Sequence, residues 1–500
     1  MKKRLQRLLS GLLAAALLWA LPVSAGAAGR FADVPESHWA AEEIGRAVDL
    51  GLFQGETATR FGVGHQMTRA AFAVVLCRFF GWELVKPAQA TYTDVRDTSA
   101  WYYSAVETAY AHGAITLQTD TFRPADPITR EEMAVMLVRA LGYGTIAGLV
   151  QDLPIPFTDV DTNAGYIAMA YELGLFSGTT STTFSPDRVA TREQTAVILM
   201  RLYDKLHQAQ PEQAGIAGGA GDLSGLGMVA VPACRLVYNG KVQVSHPMEE
   251  ETEAAIVADA RKAGAKVLLH VTGNSFSLKG TAAETADLLA AAVTEGGYDG
   301  LFLDIPKLKE FTIRKTLSAL VKAVDKALGD KLLYVVVEAP AWQGIQYQGY
   351  DYGTLGALAD RLVVRVAPYS RTTGGFPTAP QDPLEEVYYA LGELRDVVPA
   401  QKLSLMVTTT GSVWKNGKSR GSMDAGQIEA LLAEKDVAAY YSSRYACAYL
   451  TKTEEKTTTV VWYLDQQAIG QRQQLAAFFG VGQVCFSDLA IMSREVAGET

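Results

Sequence analysis

Residues 297–308 read GYDGLFLDIPKL: a glycine–aromatic–aspartate–glycine turn runs into alternating large apolar residues, with Asp304 at the far end. Alternation over so few residues predicts a short buried strand. The same grammar surrounds it. MVAVPACRLVY (228–238), AKVLLHVTG (265–273), LLYVVVEAP (332–340), DRLVVRVAP (360–368), KLSLMVTTTG (402–411) and GQVCFSDL (482–489) read as further strands. Amphipathic helical stretches separate most of them, among them EETEAAIVADARKAG (250–264), the segment around 281–294, and IRKTLSALVKAVDKALG (313–329). Apolar strands alternating with helices predict a parallel sheet, and about 270 residues suit a (β/α)8 TIM barrel. An open doubly wound sheet is the competitor, but no glycine-rich turn follows the first strand. Residues 444–463 read instead as a β-hairpin inserted before the last helix and strand.

Chemistry in a barrel sits at the carboxyl ends of its strands. Asp304 and Glu338 hold such ends. Period-2 alternation puts Phe302, Asp304 and Pro306 on one face, and an acid at that position makes the face inward.

Upstream, a unit of about 60 residues recurs three times. FADVPESHWAAEEIGRAVDLGLFQG opens at Phe31, YTDVRDTSAWYYSAVETAYAHGAI at Tyr92 and FTDVDTNAGYIAMAYELGLFSG at Phe157. Each leads through a loop to a second helix: MTRAAFAVVLCRFF, ITREEMAVMLVRAL and ATREQTAVILMRLY. From the Asp of the x-Asp-Val to the later Thr is 35, 35 and 32 residues. Thr129 with Glu132, and Thr191 with Gln194, predict capping boxes, while Thr68 followed by Ala71 has half the device. An arginine follows each threonine: Arg69, Arg130 and Arg192. A cation in the first helical turn opposes the macrodipole. Two readings stay open, a salt bridge to a neighbouring repeat or an anion-binding groove of arginine plus free helix N–H groups.

The chain opens with MKKRLQR, a short apolar run and a small-residue end, VSAGAA, which reads as a cleaved export signal over residues 1–28. Losing Lys2, Lys3, Arg4 and Arg7 would turn the formal charge of −9 into −13, with 41 cations against 54 anions. That balance argues against nucleic-acid partners. No later segment is long and apolar enough to cross a bilayer. Cys77, Cys234, Cys447 and Cys485 lie in apolar stretches without CxxC spacing and read as buried free thiols. Six scattered histidines predict no metal site, and no cofactor is implied.

The repeats resemble S-layer homology (SLH) domains, which implies an all-α pseudo-threefold prism whose grooves hold anionic, often pyruvylated, secondary cell-wall polysaccharide. The matching positions are Asp33, Trp39 and Arg69, then Asp94, Trp101 and Arg130, then Asp159 and Arg192. Repeat three departs, with Thr162 where the others have tryptophan. On this reading repeat one spans 29–90, repeat two 91–153 and repeat three 154–204. A flexible Gly/Ala/Gln-rich linker fills 205–227 and the barrel runs from 228 to 500.

The second half resembles glycoside hydrolase family 18, especially its spore-wall peptidoglycan hydrolase branch. The resemblance rests on the GYDG approach, YDYGTLGALADRLVV, KLSLMVTTTG and VVWYLDQQAIGQRQQLAAFFGVG. The family's Asp-x-x-Asp-x-Asp-x-Glu falls on Asp299, Phe302, Asp304 and Pro306, so proline stands where the proton donor should be. Its Met-x-Tyr-Asp falls on Arg365, Val366, Ala367 and Pro368, and its late tryptophan at or beside Ser487. Trp462 and Asp465 match the family's Trp-Tyr-x-Asp segment. A proline cannot donate a proton, and general acid catalysis is worth about 10²–10⁴ in rate.

Three functions follow as candidates. The first is a glycan-binding barrel using Asp299, Asp304, Trp342, Tyr369 and Trp414. The second is a structural module with peptidoglycan or another surface protein as partner. The third is an active hydrolase with Asp304 and Glu338 as a replacement pair. The bland reading of that pair is a buried relic in which Glu338 partners Arg365. The family's first strand has no obvious counterpart, since MVAVPACRLVY aligns with the second. A complete and an incomplete barrel both stay open, and in an incomplete one Cys234 and Cys485 could pair. All three readings place the protein outside the cell, on the wall or in an S-layer.

Overall fold

The computed structural model describes residues 30–117, 119–152, 155–366 and 378–489. The expected signal segment lies outside them. Contacts divide the chain into two units that meet at His207/Gln208.

The first unit is helical. Repeat one supplies α1 (Ala41–Asp49) and α2 (Arg69–Phe80). Repeat two supplies α3 (Tyr103–Ala111) and α4 (Arg130–Ala140), followed by a short α5 (Gly144–Leu149). Repeat three supplies α6 (Ala164–Glu172) and α7 (Arg192–His207). The second helix of each repeat packs on the first helix of the next: α2 on α3, α4 on α6, and α7 back on α1. The ring closes through the backbone just ahead of the second helices. Ile128 N–H donates to Met67 at 2.8 Å, Ala190 to Ile128 at 3.0 Å, and Met67 to Ala190 at 2.9 Å. Each repeat completes its neighbour's hydrogen bonding, which gives the threefold prism.

The caps differ in detail. Thr129 and Glu132 form the full reciprocal box, and Thr68 accepts from Ala71 N–H alone. In repeat three only the return bond exists: Gln194 accepts from Thr191 N–H at 3.3 Å, while Thr191 Oγ1 is buried without a partner. The expected box there is therefore half made.

The second unit is the barrel. Strands β1 (Glu212–Ile216), β2 (Met228–Tyr238), β3 (Val242–Ser245), β4 (Lys266–Thr272), β5 (Gly300–Asp304) and β6 (Leu332–Glu338) come first. They are followed by β7 (Arg361–Arg365), β8 (Leu403–Val407) and, at the end of the chain, Gln483–Phe486. Helices α8 (Glu250–Lys262), α9 (Ala282–Glu295), α10 (Arg314–Leu328), α11 (Tyr352–Leu358) and α12 (Leu384–Arg395) alternate with them. All seven strands anticipated from the pattern are present.

The barrel is also complete. Its missing first strand is β1, which lies inside the stretch expected to be a flexible linker. β1 pairs in parallel with β2 on one side and with Gln483–Phe486 on the other, closing eight parallel strands. β1 therefore separates the strands carrying Cys234 and Cys485, and both thiols are free and buried, as are Cys77 and Cys447. The conceivable disulfide is excluded by the strand between them. The inner core stacks Ala214, Met228, Ala230, Leu268, Phe302, Tyr334, Val336, Val363, Met406 and Cys485. Phe302 thus points inward as the alternation required.

Between β8 and the last barrel strand the chain builds a second sheet. It comprises β9 (Gly411–Lys415), β10 (Lys418–Met423), β11 (Val437–Ser442), β12 (Cys447–Glu454) and β13 (Thr457–Tyr463), antiparallel in the order β10-β9-β13-β12-β11. Helix α13 (Ala425–Leu432) buries Ile428 against Val413, Leu450 and Val461 on one face. The anticipated hairpin is its β12–β13 pair, to which the structure adds β9, β10 and β11. Helix α14 (Gln466–Phe478) and β14 (Gln483–Phe486) then complete the barrel. Fully buried Arg472 on α14 donates to the Ala446 and Asp382 carbonyls at 3.0 and 2.6 Å, fastening the inserted sheet's loop to the barrel.

Candidate functional site

At the carboxyl end of the barrel, β5, β6 and β7 bring Asp304, Glu338 and Arg365 together. Strand pairing sets Asp304 beside Val336 and Glu338 beside Arg365. The Arg365 guanidinium grips Asp304 through both terminal nitrogens, one at 3.2 Å from Oδ1. The same nitrogen reaches Glu338 Oε1 at 3.4 Å. Its Nε lies 3.4 Å from Met406 sulfur. Glu338 also accepts from Lys307 N–H at 3.2 Å, and Tyr352 O–H donates to the Glu338 carbonyl at 2.9 Å. His270 Nε2 stands 3.7 Å from Asp304.

Burial alone would push Asp304 up, but the Arg365 charge, with His270 alongside, holds it at about 2. Glu338 goes the other way: its burial outweighs what Arg365 and the Lys307 N–H return, and its pKa is raised. Arg365 itself is raised by the two carboxylates against its own desolvation. A two-carboxylate glycosidase needs its acids about 5–9.5 Å apart with a sugar between them. Here a guanidinium bonds to both carboxylates. Pro306, two residues beyond Asp304, brings no proton, and Ser487 accepts from Thr409 N–H at 3.0 Å where the family keeps an aromatic floor.

The other expected barrel contacts separate. Asp299 precedes β5, at the opposite end of the barrel from Asp304. It accepts from Val267 N–H at 2.8 Å and faces Lys266 at 4.0 Å, so it pins strand starts and does not line the mouth. Trp414 is only 6% exposed, its indole N–H held by the Ala379 carbonyl at 3.1 Å and Ser412 Oγ at 2.9 Å. It is core, and no sugar can stack on it. Trp342 is half-buried, and its backbone N–H donates to Glu386 at 2.7 Å. Tyr369 lies outside the described residues. Trp462 packs against Tyr445 and Tyr449, as a core residue should.

In the helical unit the repeated residues have structural partners. Asp33 accepts from Phe61, Gly62 and Val63 N–H, Asp94 from Phe122 and Arg123, and Asp159 from Phe184 and Ser185. Each aspartate therefore shapes its own repeat's loop. The arginines cross to the next repeat. Arg69 Nε donates to the Phe122 carbonyl at 2.8 Å, Arg130 to Phe184 at 3.0 Å and Arg192 to Phe61 at 3.0 Å, each guanidinium lying over the same phenylalanine's ring.

The helix N–H groups expected to be free are taken as well. Arg69 and Ala70 donate to Asp126 and Pro124, Arg130 and Glu131 to Arg188 and Pro186, and Arg192 to His65. The helix N–H groups that the groove reading takes as open are thus engaged between repeats, and the arginines staple each repeat to the next. Trp39 and Trp101, in contrast, are 61% and 67% exposed. Thr162, in their place in repeat three, donates to Glu131 at 2.8 Å.

A family model described as "Glycosyl hydrolases family 18" matches residues 199–479, and one described as "S-layer homology domain" matches 30–73, 91–134 and 156–196. An endoglucanase of Bacillus sp. (strain KSM-635) is 32% identical over 186 residues, covering 35% of this chain and 19% of the endoglucanase. An S-layer protein of Bacillus thuringiensis subsp. finitimus is 27% identical over 201 residues, covering 39% of this chain and 24% of that protein. The chain spans less than a quarter of the length of either relative. The solved spore cortex-lytic enzyme SleL of Bacillus cereus is similar at 16% identity and a TM-score of 0.46, over 56% of this chain and 72% of that one. With a family model spanning more than half of it, this chain belongs to glycosyl hydrolase family 18 and carries three S-layer homology repeats ahead of its barrel.

Proposed function

We propose that the protein is held noncovalently on the cell surface by its SLH repeats, through a secondary cell-wall polysaccharide that can be pyruvylated. There it displays a family 18 barrel that has lost hydrolysis and keeps a glycan-binding or structural role. Peptidoglycan or another surface protein is the barrel's partner. The observation that carries the non-hydrolytic reading is the Arg365 guanidinium bonded to Asp304 and Glu338 together, with Pro306 in the donor position. Buried as they are, the two carboxylates spend their charge on that cation. S-layer and cellulosome-anchoring relatives support the surface placement.

A second reading has one observation behind it. Burial raises Glu338 while Asp304 stays low, and acid and base pKa values pushed apart are what a hydrolase needs. Under that reading Glu338 is a relocated acid in a peptidoglycan or chitin-type hydrolase.

The test incubates the full chain with purified walls, peptidoglycan and chito-oligosaccharides, reading products by mass spectrometry and retention by sedimentation. We expect retention on walls without released sugars. Released sugars that vanish in Glu338→Gln would establish the hydrolase instead. Failure to sediment with walls would remove the anchoring role.

A further inference from the structure

The sheet inserted before α14 has two edges, and they are not alike. β10 is guarded: its pairing with β9 breaks register between Ser419 and Gly421, Gly421 takes a φ of 103°, and exposed Lys418 and Arg420 add charge. A bulge and charged side chains keep an edge strand from pairing with another chain. β11 carries neither. Its six residues, VAAYYS, hold unbroken antiparallel register with β12, from Val437 opposite Lys452 to Ser442 opposite Cys447, and none is charged. Half of such a strand's backbone N–H and C=O groups point away from its one neighbour. Among the described residues no other backbone meets them, and Ala439, Tyr440 and Tyr441 are exposed.

One face of this edge is also unfinished. Tyr440 lies opposite Tyr449, and Tyr449 opposite Trp462. Their rings form a row across the sheet, with centroids 5.2 and 4.6 Å apart. Trp462 ends the row on the inside, where Tyr445 packs edge-on against it. At the other end Tyr440 is 51% exposed, so the row stops at an open ring.

The charges flanking β11 select what can continue it. Asp436 immediately precedes the strand and Arg444 stands two residues beyond its end, both exposed. A second β11 laid antiparallel, with Tyr440 opposite Tyr440, brings Asp436 of each copy toward Arg444 of the other. The same register sets Ala439 opposite Tyr441, a small residue beside a large one, and Ala438 opposite Ser442. The two Tyr440 rings meet on the axis and join both rows. A parallel arrangement would set like charges side by side, which is destabilising.

We propose that β11 is a docking edge for β11 of a second copy of this chain, the two strands pairing antiparallel about Tyr440 so that two inserted sheets become one. The two-fold makes the contact self-complementary and closed, so it gives a dimer and not a filament. The proposal goes beyond the wall-anchoring and glycan-binding readings, and neither has to hold for it.

The full chain would be followed by sedimentation velocity across a concentration series, with thermal melts confirming that each variant folds. Wild type should show a concentration-dependent dimer. Tyr440→Lys sets two cations against each other on the axis and should weaken dimerisation tenfold or more. Asp436→Arg and Arg444→Asp should each weaken it, and the double swap Asp436→Arg/Arg444→Asp should recover it, because the flanking charges match again. Residues directly opposed in an antiparallel pair lie about 4.5–5.5 Å apart at Cα, within reach of a disulfide. Tyr440→Cys should therefore cross-link two chains under mild oxidation while the four native thiols stay buried, and Ser419→Cys on β10 should not.

A wild type that is monomeric at every concentration would leave the edge to some other protein's strand and overturn the proposal. So would dimerisation that Tyr440→Lys leaves unchanged, or cross-linking through Ser419→Cys in place of Tyr440→Cys. A double swap as weak as its single variants would also overturn it, since the antiparallel register would then be wrong.

Discussion

At the scale of single residues, the barrel mouth is decided by an arginine. Arg365 turns two carboxylates that could have been catalytic into a buried ion cluster. Removing one partner of such a cluster leaves the rest uncompensated, at a cost of about 3–5 kcal/mol. Asp304→Asn should therefore destabilise the barrel by roughly that amount, measured by urea unfolding of the full chain at pH 7. A change below about 1 kcal/mol would mean the cluster is solvated and weak. The pH dependence has a definite sign. Asp304 is held lower in the folded chain, at about 2, than the ordinary aspartate value of 3.8. Its contribution, roughly 2–3 kcal/mol, is complete above about pH 5 and is lost as pH falls through 3.8 toward 2. The gap between wild type and Asp304→Asn should accordingly shrink between pH 5 and pH 2.5. A constant gap would show that the ion pair is not its source.

Elements carry the next decisions. Closure of the barrel depends on β1, five residues whose interior is Ala214 and Gly215. A Cβ at Gly215 would run into the side chain of Leu489, so glycine is required by close packing there. Gly215→Val should cost at least 1–3 kcal/mol by overpacking, visible as a lowered barrel transition in calorimetry. An unchanged transition would mean β1 is dispensable. Helix caps give a sharper contrast. Thr129 accepts the Glu132 N–H, whereas Thr191 Oγ1 is buried and unpartnered. Thr129→Ala should lose about 1 kcal/mol and Thr191→Val almost nothing, by the same melts. Equal losses would argue that both hydroxyls cap.

On the scale of the molecule, the repeats form one cooperative ring. Each second helix leans on the next repeat's first helix, and the Met67–Ile128–Ala190 hydrogen bonds form a cycle with no free end. A fragment of residues 30–207 should melt in a single transition, while residues 30–150, lacking the third side, should show none. A cooperative melt of the shorter fragment would mean that ring closure is unnecessary.

The sequence by itself determined the two architectures, because both are written in local periodicity. Alternating apolar strands between amphipathic helices specify a parallel sheet flanked by helices, whose closure rests on β1, and a copied Thr-Arg helix start specifies a repeated unit. It also determined that Phe302 and Asp304 share an inward face, since within β5 a strand's period admits no other outcome. What it could not give were relations between residues far apart in the chain. β1 carried no apolar signal, because its small residues are chosen to fit against Leu489 and a core assembled some 270 residues later. The arginines looked like ligands for an anion, and only the folded ring showed them holding the next repeat's carbonyls. Asp299 and Asp304 looked like members of one motif, yet a strand's length separates them to opposite ends of the barrel. Above all, Asp304 and Glu338 are both bonded by Arg365 from a third strand, and only tertiary structure decides which side chain reaches the two of them.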